Sequence, residues 1–298
     1  MASPGPRITR QTSNDVVRGA DAGRRRARRA AVRHGYLLVG GTLVALTMFS
    51  AVLAPLLSPE DPSAQDLAER LAPPHTAAHV LGTDAVGRDI LSRVVFGSRV
   101  SLTVGFLAVG VAGTIGTFLG MLAGYHGGWA ETLIMRTADL QLAIPSLVLA
   151  IAVIAVLGPG LVKVIAVLGI TGWVQYGRIV RGEILSIRNR EYVEAARAVG
   201  ADSTRIVGRH ILPNITAAIV VVATLQVGTM IVTEASLSFV GLGVPLNVPS
   251  WGGMAAEGRD YLATAWWIAT FPGLAIMVTV LGMNLLGDWL RDALDPRL

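Results

Sequence analysis

Long runs free of Asp, Glu, Lys and Arg alternate with short charged segments along the chain. A bilayer core of about 30 Å is crossed by about 20 apolar residues in a helix. Runs of this kind cover residues 35–59, 100–130, 140–162 and 261–287, and a further one at 214–240 is interrupted by a single acid, Glu234. The run 164–177 has only 14 uncharged residues, but Lys163 and Arg178 at its ends can snorkel to the headgroups and lengthen the usable span. The pattern therefore predicts six transmembrane helices in an all-α, polytopic membrane protein. Gly158-Pro159-Gly160 closes the third span, and Pro145 and Pro272 are expected to kink the third and sixth.

Between the spans lie a polar loop at about residues 58–98 and a charged one at 182–213. The expected organisation is a basic tail at 1–34, a first helix plus loop at 35–98, a five-helix domain at 99–288 and a short C-terminal tail at 289–298. Orientation comes from Lys and Arg near the span ends, which concentrate on the cytoplasmic side. Nine Arg precede the first span, which puts the N-terminus inside and, with six spans, the C-terminus as well. The loop at 182–213 then also lies inside, and with its approach it carries Arg178, Arg181, Arg188, Arg190, Arg197, Arg205 and Arg209. The loop at 58–98 falls outside. The basic start before an apolar run is also the pattern of a cleavable signal, but the run is longer than the 7–15 residues typical of one, so a retained first helix is expected.

Composition sharpens this picture. Only 15% of residues are charged, against about 25% in soluble domains. The net charge of +5 is local: nine Arg against Asp15 and Asp21 give the first 34 residues +7, and the rest sums to −2. A basic tail without aromatic or motif support does not make a nucleic-acid binder, so no nucleic-acid partner is expected. There is no Cys, and the five His show no metal-ligand spacing. A phosphate-binding loop needs Gly-Lys-Ser/Thr, and the only lysine, Lys163, lies between two valines. Nothing points to an enzyme or to a cofactor bound by this chain.

The most informative segment is the loop at 182–213. Tyr192, Ala195, Ala196 and Val199 fall at helical spacing and give a short helix one face of small and apolar residues. Gly200 is placed to end that helix in the left-handed conformation, Asp202 or Ser203 to cap the next, and Pro213 to limit the turn after it. The expectation is a helix–turn–helix knob facing the cytosol; an amphipathic interfacial loop is the plainer alternative. Glu194-Ala195-Ala196, Gly200 and Leu212-Pro213 resemble the EAA motif of ABC-importer permeases, with His210 standing where the general pattern has Ile. The resemblance extends to His79-Val80-Leu81-Gly82-Thr83-Asp84, Gly87-Arg88-Asp89 and Leu91-Ser92-Arg93, to Glu234-Ala235-Ser236-Leu237-Ser238-Phe239, and to the end of the chain from Gly287-Asp288. It is similar in these segments to the C-type permease subunit of dipeptide, oligopeptide and nickel ABC importers.

That resemblance implies a type I ABC-importer permease in the bacterial inner membrane. It would form half of a translocation pore with a B-type permease, and be served by two ATPase subunits and an external substrate-binding protein. ATP and Mg²⁺ would be bound by the ATPases. The EAA loop would be a coupling helix, with Glu194 making polar contacts, Ala195 and Ala196 permitting close approach, and Gly200 setting the bend. Di- or oligopeptides would be the substrate, with nickel or another small solute as alternatives. A secondary transporter or channel is the rival from another class, and would need inverted repeats or several intramembrane charges. Gly116, Gly120 and Gly124 recur every four residues and are expected to pack against another helix. Glu234 is expected near the outer end of the fifth span, pairing with Arg259 or an Arg of the external loop, or lining the path. Arg136 and Asp139 are expected to pair.

Overall fold

A computed structural model describes residues 34–76, 79–245 and 247–294. The nine Arg of the tail and the match at Asp295-Pro296-Arg297 lie outside the described residues. Those described form an all-helical structure in which the pairing of Thr83 with Asp89 is an isolated bridge.

The first helix, α1 (His34–Val52), is succeeded by the short α2 (Ala54–Leu57). After the loop at 58–89 come α3 (Ile90–His126), α4 (Gly128–Leu142), α5 (Ser146–Leu157) and α6 (Leu161–Ile187). The knob consists of α7 (Glu191–Ala198) and α8 (Ser203–Ile206), and leads into α9 (Leu212–Phe239). Two further helices, α10 (Trp251–Gly258) and α11 (Trp267–Leu294), complete the described chain. Among the described residues, four helices are long and apolar enough to cross a membrane: α1, α3, the continuous stretch Ser203–Phe239, and α11. The pair α4 and α5 makes a fifth if counted as one broken span.

The third run is where the helices differ most from expectation. In place of a single span over 140–162, α4 and α5 meet at an 88° bend, and Pro145 stands at the break as the residue preceding α5. Proline lacks the N–H needed inside a helix and pushes its predecessor out of the helical region. The fourth run, short by its uncharged length, belongs to a 27-residue helix whose charged ends keep it out of the strongly apolar set. Pro272 lies inside the continuous α11.

α3 is packed along α6, α9 lies against both α3 and α11, and α10 is wedged among them. In lipid, helix association gains little from burying apolar surface, so close van der Waals approach has to supply it. The glycine stripe of α3 does this. A Cβ on Gly116 would collide with the Trp173 carbonyl and Tyr176; one on Gly120 would lie 2.7 Å from the Gly177 carbonyl; one on Gly124, 2.9 Å from Ile184 Cβ. The ends of α4 and α6 are tied by ions: Arg181 to Glu131, and Arg178 to Asp139. Arg136 stands 3.9 Å from Asp139, so the closer partner of Asp139 is on α6 rather than on its own helix.

Candidate functional site

The knob is built on a small core. Val193 of α7 is fully buried with Ile206, Ile211, Ile215 and the α6 residues Val180, Ile184 and Ile187. Sequence spacing picks out the face through Tyr192, Ala195, Ala196 and Val199. Of these, only Ala196 packs against that core, whereas Tyr192 is 40% exposed and Val199 85% exposed. The anchor that spacing misses, Val193, is a lone apolar residue out of phase with the stripe. The rest of the stripe, Tyr192, Ala195 and Val199, looks outward, with Glu194 exposed beside it.

Gly200 ends α7 as expected. Its φ is +84°, the Ala201 N–H donates to the Ala196 carbonyl at 3.0 Å, and the Gly200 N–H to the Arg197 carbonyl at 3.1 Å. These are the two bonds of a Schellman ending. Asp202 occupies the cap position of α8 and accepts from the Thr204 hydroxyl, which holds its carboxyl below the usual carboxylate range.

The second half of the knob differs from expectation. Instead of a separate helix stopped before the fifth span, α8 runs through one turn of π-helix, Val207–Ile211, directly into α9. Pro213 sits in the first turn of α9, and the Leu212 N–H reaches back five residues to the Val207 carbonyl. A proline deprives the preceding turn of one donor, and the wider π turn accommodates this without ending the helix. Leu212 and Pro213 thus form a seam rather than a stop.

At the opposite end of α3, the loop before it is knotted by charge. Asp84 accepts from the Val86 and Arg88 N–H groups at 2.9 and 3.0 Å and from Arg88 Nε at 2.6 Å, and pairs with Arg93. Arg93 is 2% exposed and also donates to Glu257 of α10 at 2.7 Å; Arg88 reaches the same carboxylate at 3.0 Å. Asp89 caps α3 by accepting from the Ser92 N–H at 2.7 Å. His79 lies between Asp89, 3.0 Å from Nδ1, and Glu69, 2.6 Å from Nε2. In the sequence this segment reads only as a polar loop with matching motifs. The pairing with Glu257, 164 positions after Arg93, carries no local signal.

Burial opposes a charge on His79, but the hydrogen bonds it donates to Asp89 and Glu69 and the nearby Glu60 outweigh it and raise its pKa above the ordinary histidine value. A raised folded-state pKa contributes stability that is complete below the unfolded value and lost as pH rises through the folded one. The loop at 58–89 should therefore become more protease-sensitive on going from acidic to alkaline pH, and His79→Gln should flatten that dependence. Limited proteolysis of the solubilised protein across about pH 5 to 9 measures it; an unchanged profile in the variant would assign the effect to other groups.

Glu234 is fully buried at the contact of α9 with α3 and α10. Its Oε1 accepts from the Ser238 hydroxyl at 2.7 Å, Ser101 stands beside it, and Oε2 has no partner among the described residues. The expected pairing with Arg259 is not made: Arg259 lies over the Phe239 ring at 5.6 Å and beside Asp260. Three clefts among the described residues, at α4–α6, at α6–α9–α11 and at the α4–α5 bend, are lined without Glu234.

Comparison with known proteins agrees with this architecture. Residues 116–298 match the family described as "Binding-protein-dependent transport system inner membrane component". Residues 24–74 match the "N-terminal TM domain of oligopeptide transport permease C", so similarity reaches into the end of the basic tail. The chain is 44% identical over 261 residues to the dipeptide transport system permease protein DppC of Alkalihalophilus pseudofirmus, covering 88% of this chain and 86% of the relative. It is 42% identical to the oligopeptide transport system permease protein OppC of Bacillus subtilis, covering 88% and 85%. Among solved structures, the inward-facing MetNI methionine ABC transporter aligns with a TM-score of 0.57 at 22% identity over 69% of this chain and 98% of that one, a likeness of fold. Exposed elbow, buried anchor, packed helices and these matches converge on one assignment: the chain belongs to the family of inner-membrane components of binding-protein-dependent transport systems, as a multi-pass permease subunit of an ABC importer rather than an enzyme.

Proposed function

We propose that this permease imports di- or oligopeptides and couples to its ATPase through the face of α7 that carries Tyr192, Glu194, Ala195 and Val199. The observation that carries the reading is that this face is exposed while Val193 and Ala196 on the opposite side root the helix in the ends of α6 and α9. A push on the exposed face is therefore delivered to two long helices. Relatives named as dipeptide and oligopeptide permeases support peptide as the cargo.

The chain would cross the membrane six times, with α4 and α5 as one broken crossing and α6 as another, and with both termini in the cytosol. At 27 residues α6 is about 40 Å long, enough for the hydrocarbon core and both charged ends. A B-type permease would complete the pore, two ATPase subunits would hold ATP and Mg²⁺, and an external binding protein would deliver cargo to the side held by the Arg93 cluster. Closure of the ATPases would move the knob and rock the helices between outward and inward access. The chain's part is mechanical and electrostatic.

Uptake of labelled dipeptide by cells deleted for this chain, with and without its restoration, tests the cargo. Mild solubilisation tests the assembly: an ATPase should copurify with the wild-type chain and be lost from Ala195→Trp, whose bulk would block the face. Restored cells that take up no peptide, or an ATPase retained equally by both chains, would overturn the proposal.

A further inference from the structure

The bend between α4 and α5 opens a cleft of about 240 Å³ whose lining, among the described residues, contains no Asp, Glu, Lys or Arg. Its position is fixed by Gln141 at the end of α4. Gln141 Nε2 donates to the Thr171 carbonyl at 2.5 Å, and its Oε1 accepts from Trp173 Nε1 at 2.9 Å, both on the middle stretch of α6. Across the cleft, Gln175 lies near the midpoint of α6 and Gln226 near the midpoint of α9. Gln175 and Gln226 thus lie at the depth where polar groups facing lipid are least tolerated, with Thr229 and Thr233 lining the same cleft one and two turns further along α9. Gln175 and Thr229 are exposed in the single chain, so this face looks onto a path or a protein and not onto hydrocarbon.

The two glutamines are joined. Gln226 Nε2 donates to Gln175 Oε1 at 2.8 Å. One carbonyl, on Gln226, and one amino group, on Gln175, are left without another partner among the described residues. If both amides were turned over, the pair would still retain one donor group and one acceptor. A peptide unit carries the matching set, one C=O and one N–H. Gln175 also lines a second cleft, of about 690 Å³, which continues towards Glu183, Arg190 and Arg291 at the other end of α6 and α11. The two clefts are therefore uncharged beside Gln175 and Gln226 and charged only towards Glu183, Arg190 and Arg291.

We propose that the Gln175–Gln226 amide pair is a cargo-binding station at mid-membrane, which exchanges its spare donor and acceptor with the backbone amide of a passing peptide. The inference rests on the peptide reading under Proposed function and names the residues that perform it. An amide pair reads what all peptides share. A fixed charge there would hold cargo of opposite sign and repel cargo of its own, narrowing a general importer to one class. Thr229 and Thr233 on the next turns of α9 continue the polar strip without adding charge.

The test uses the complete importer in cells, with labelled Ala-Ala, Glu-Glu and Lys-Lys as probes. Gln226→Leu and Gln175→Leu should each reduce Ala-Ala uptake at least tenfold, while ATP hydrolysis by the purified complex stays within twofold of wild type. Gln226→Glu should lower Glu-Glu uptake at least fivefold relative to Lys-Lys. Unchanged uptake and charge preference in all three variants would overturn the station. So would a parallel fall of uptake and ATP hydrolysis in all three, which would make the pair purely structural. If the wild-type importer takes up none of the three peptides, the peptide reading itself is overturned, an outcome separate from failure of the station.

Discussion

Gly200→Val should reduce uptake at least tenfold while leaving the amount of chain in the membrane unchanged. A Cβ at Gly200 meets nothing within 4 Å, so crowding is not the mechanism. The cost is conformational: at φ +84° an L residue pays about 1–2 kcal/mol, and a β-branched one more. That is enough to shift the elbow roughly 5- to 30-fold towards conformations in which the Schellman bonds from Ala201 and Gly200 are broken. Insertion depends on the apolar helices and is not touched. Gly200→Asn, a residue that tolerates the left-handed region, should recover at least half of the lost uptake. Full activity of the valine variant would remove Gly200 from the coupling mechanism, and equal failure of Val and Asn would make the glycine's small size, rather than its backbone, the requirement.

Arg93→Leu should be the most destabilising single change in the cluster before and along the start of α3. Asp84, Glu257, Arg88 and Arg93 form a balanced set of two acids and two bases, and the Arg93 side chain is 2% exposed. Removing one base leaves two carboxylates sharing Arg88. Breaking a buried ionic set in this way costs about 3–5 kcal/mol, visible as a drop in Tm of the solubilised protein and in its abundance. Arg93→Lys should lie between, because a single ammonium cannot reproduce the fork that reaches Asp84 and both oxygens of Glu257. Adding Glu257→Gln to Arg93→Leu restores the balance and should recover part of the loss. Simple additivity of the two changes would mean that these charges act independently.

These predictions draw unequally on what the sequence alone discloses. The left-handed ending at Gly200 is legible because helix endings are local: an apolar stripe, a glycine and a capping residue lie within a short stretch of chain. The long apolar helices α1, α3, α9 and α11 are legible for a similar reason, since composition over about 20 residues decides them. The bend at Pro145 is visible only as a proline in an apolar run, and nothing local distinguishes a kink from a full break into two helices. Val193 escapes notice because burial of one residue on a two-turn helix is set by what α6 and α9 bring to it. The Arg93–Glu257 and Gln175–Gln226 pairs join residues 164 and 51 positions apart, and only the packed helices bring them together.

The π turn at Val207–Ile211 gives the molecule a long lever. Because the chain stays helical from Ser203 to Phe239, the second half of the knob, joined through Gly200 to the α7 face that an ATPase would grip, and Gln226 at mid-depth ride on one beam. Gln226 lies about 30 Å along that axis from Ile206. A tilt of about 10° around the inner end would swing it by about 5 Å, more than the reach of a hydrogen bond. A small stroke at the tip would thus be enough to release whatever the amides hold, with no hinge inside the bilayer.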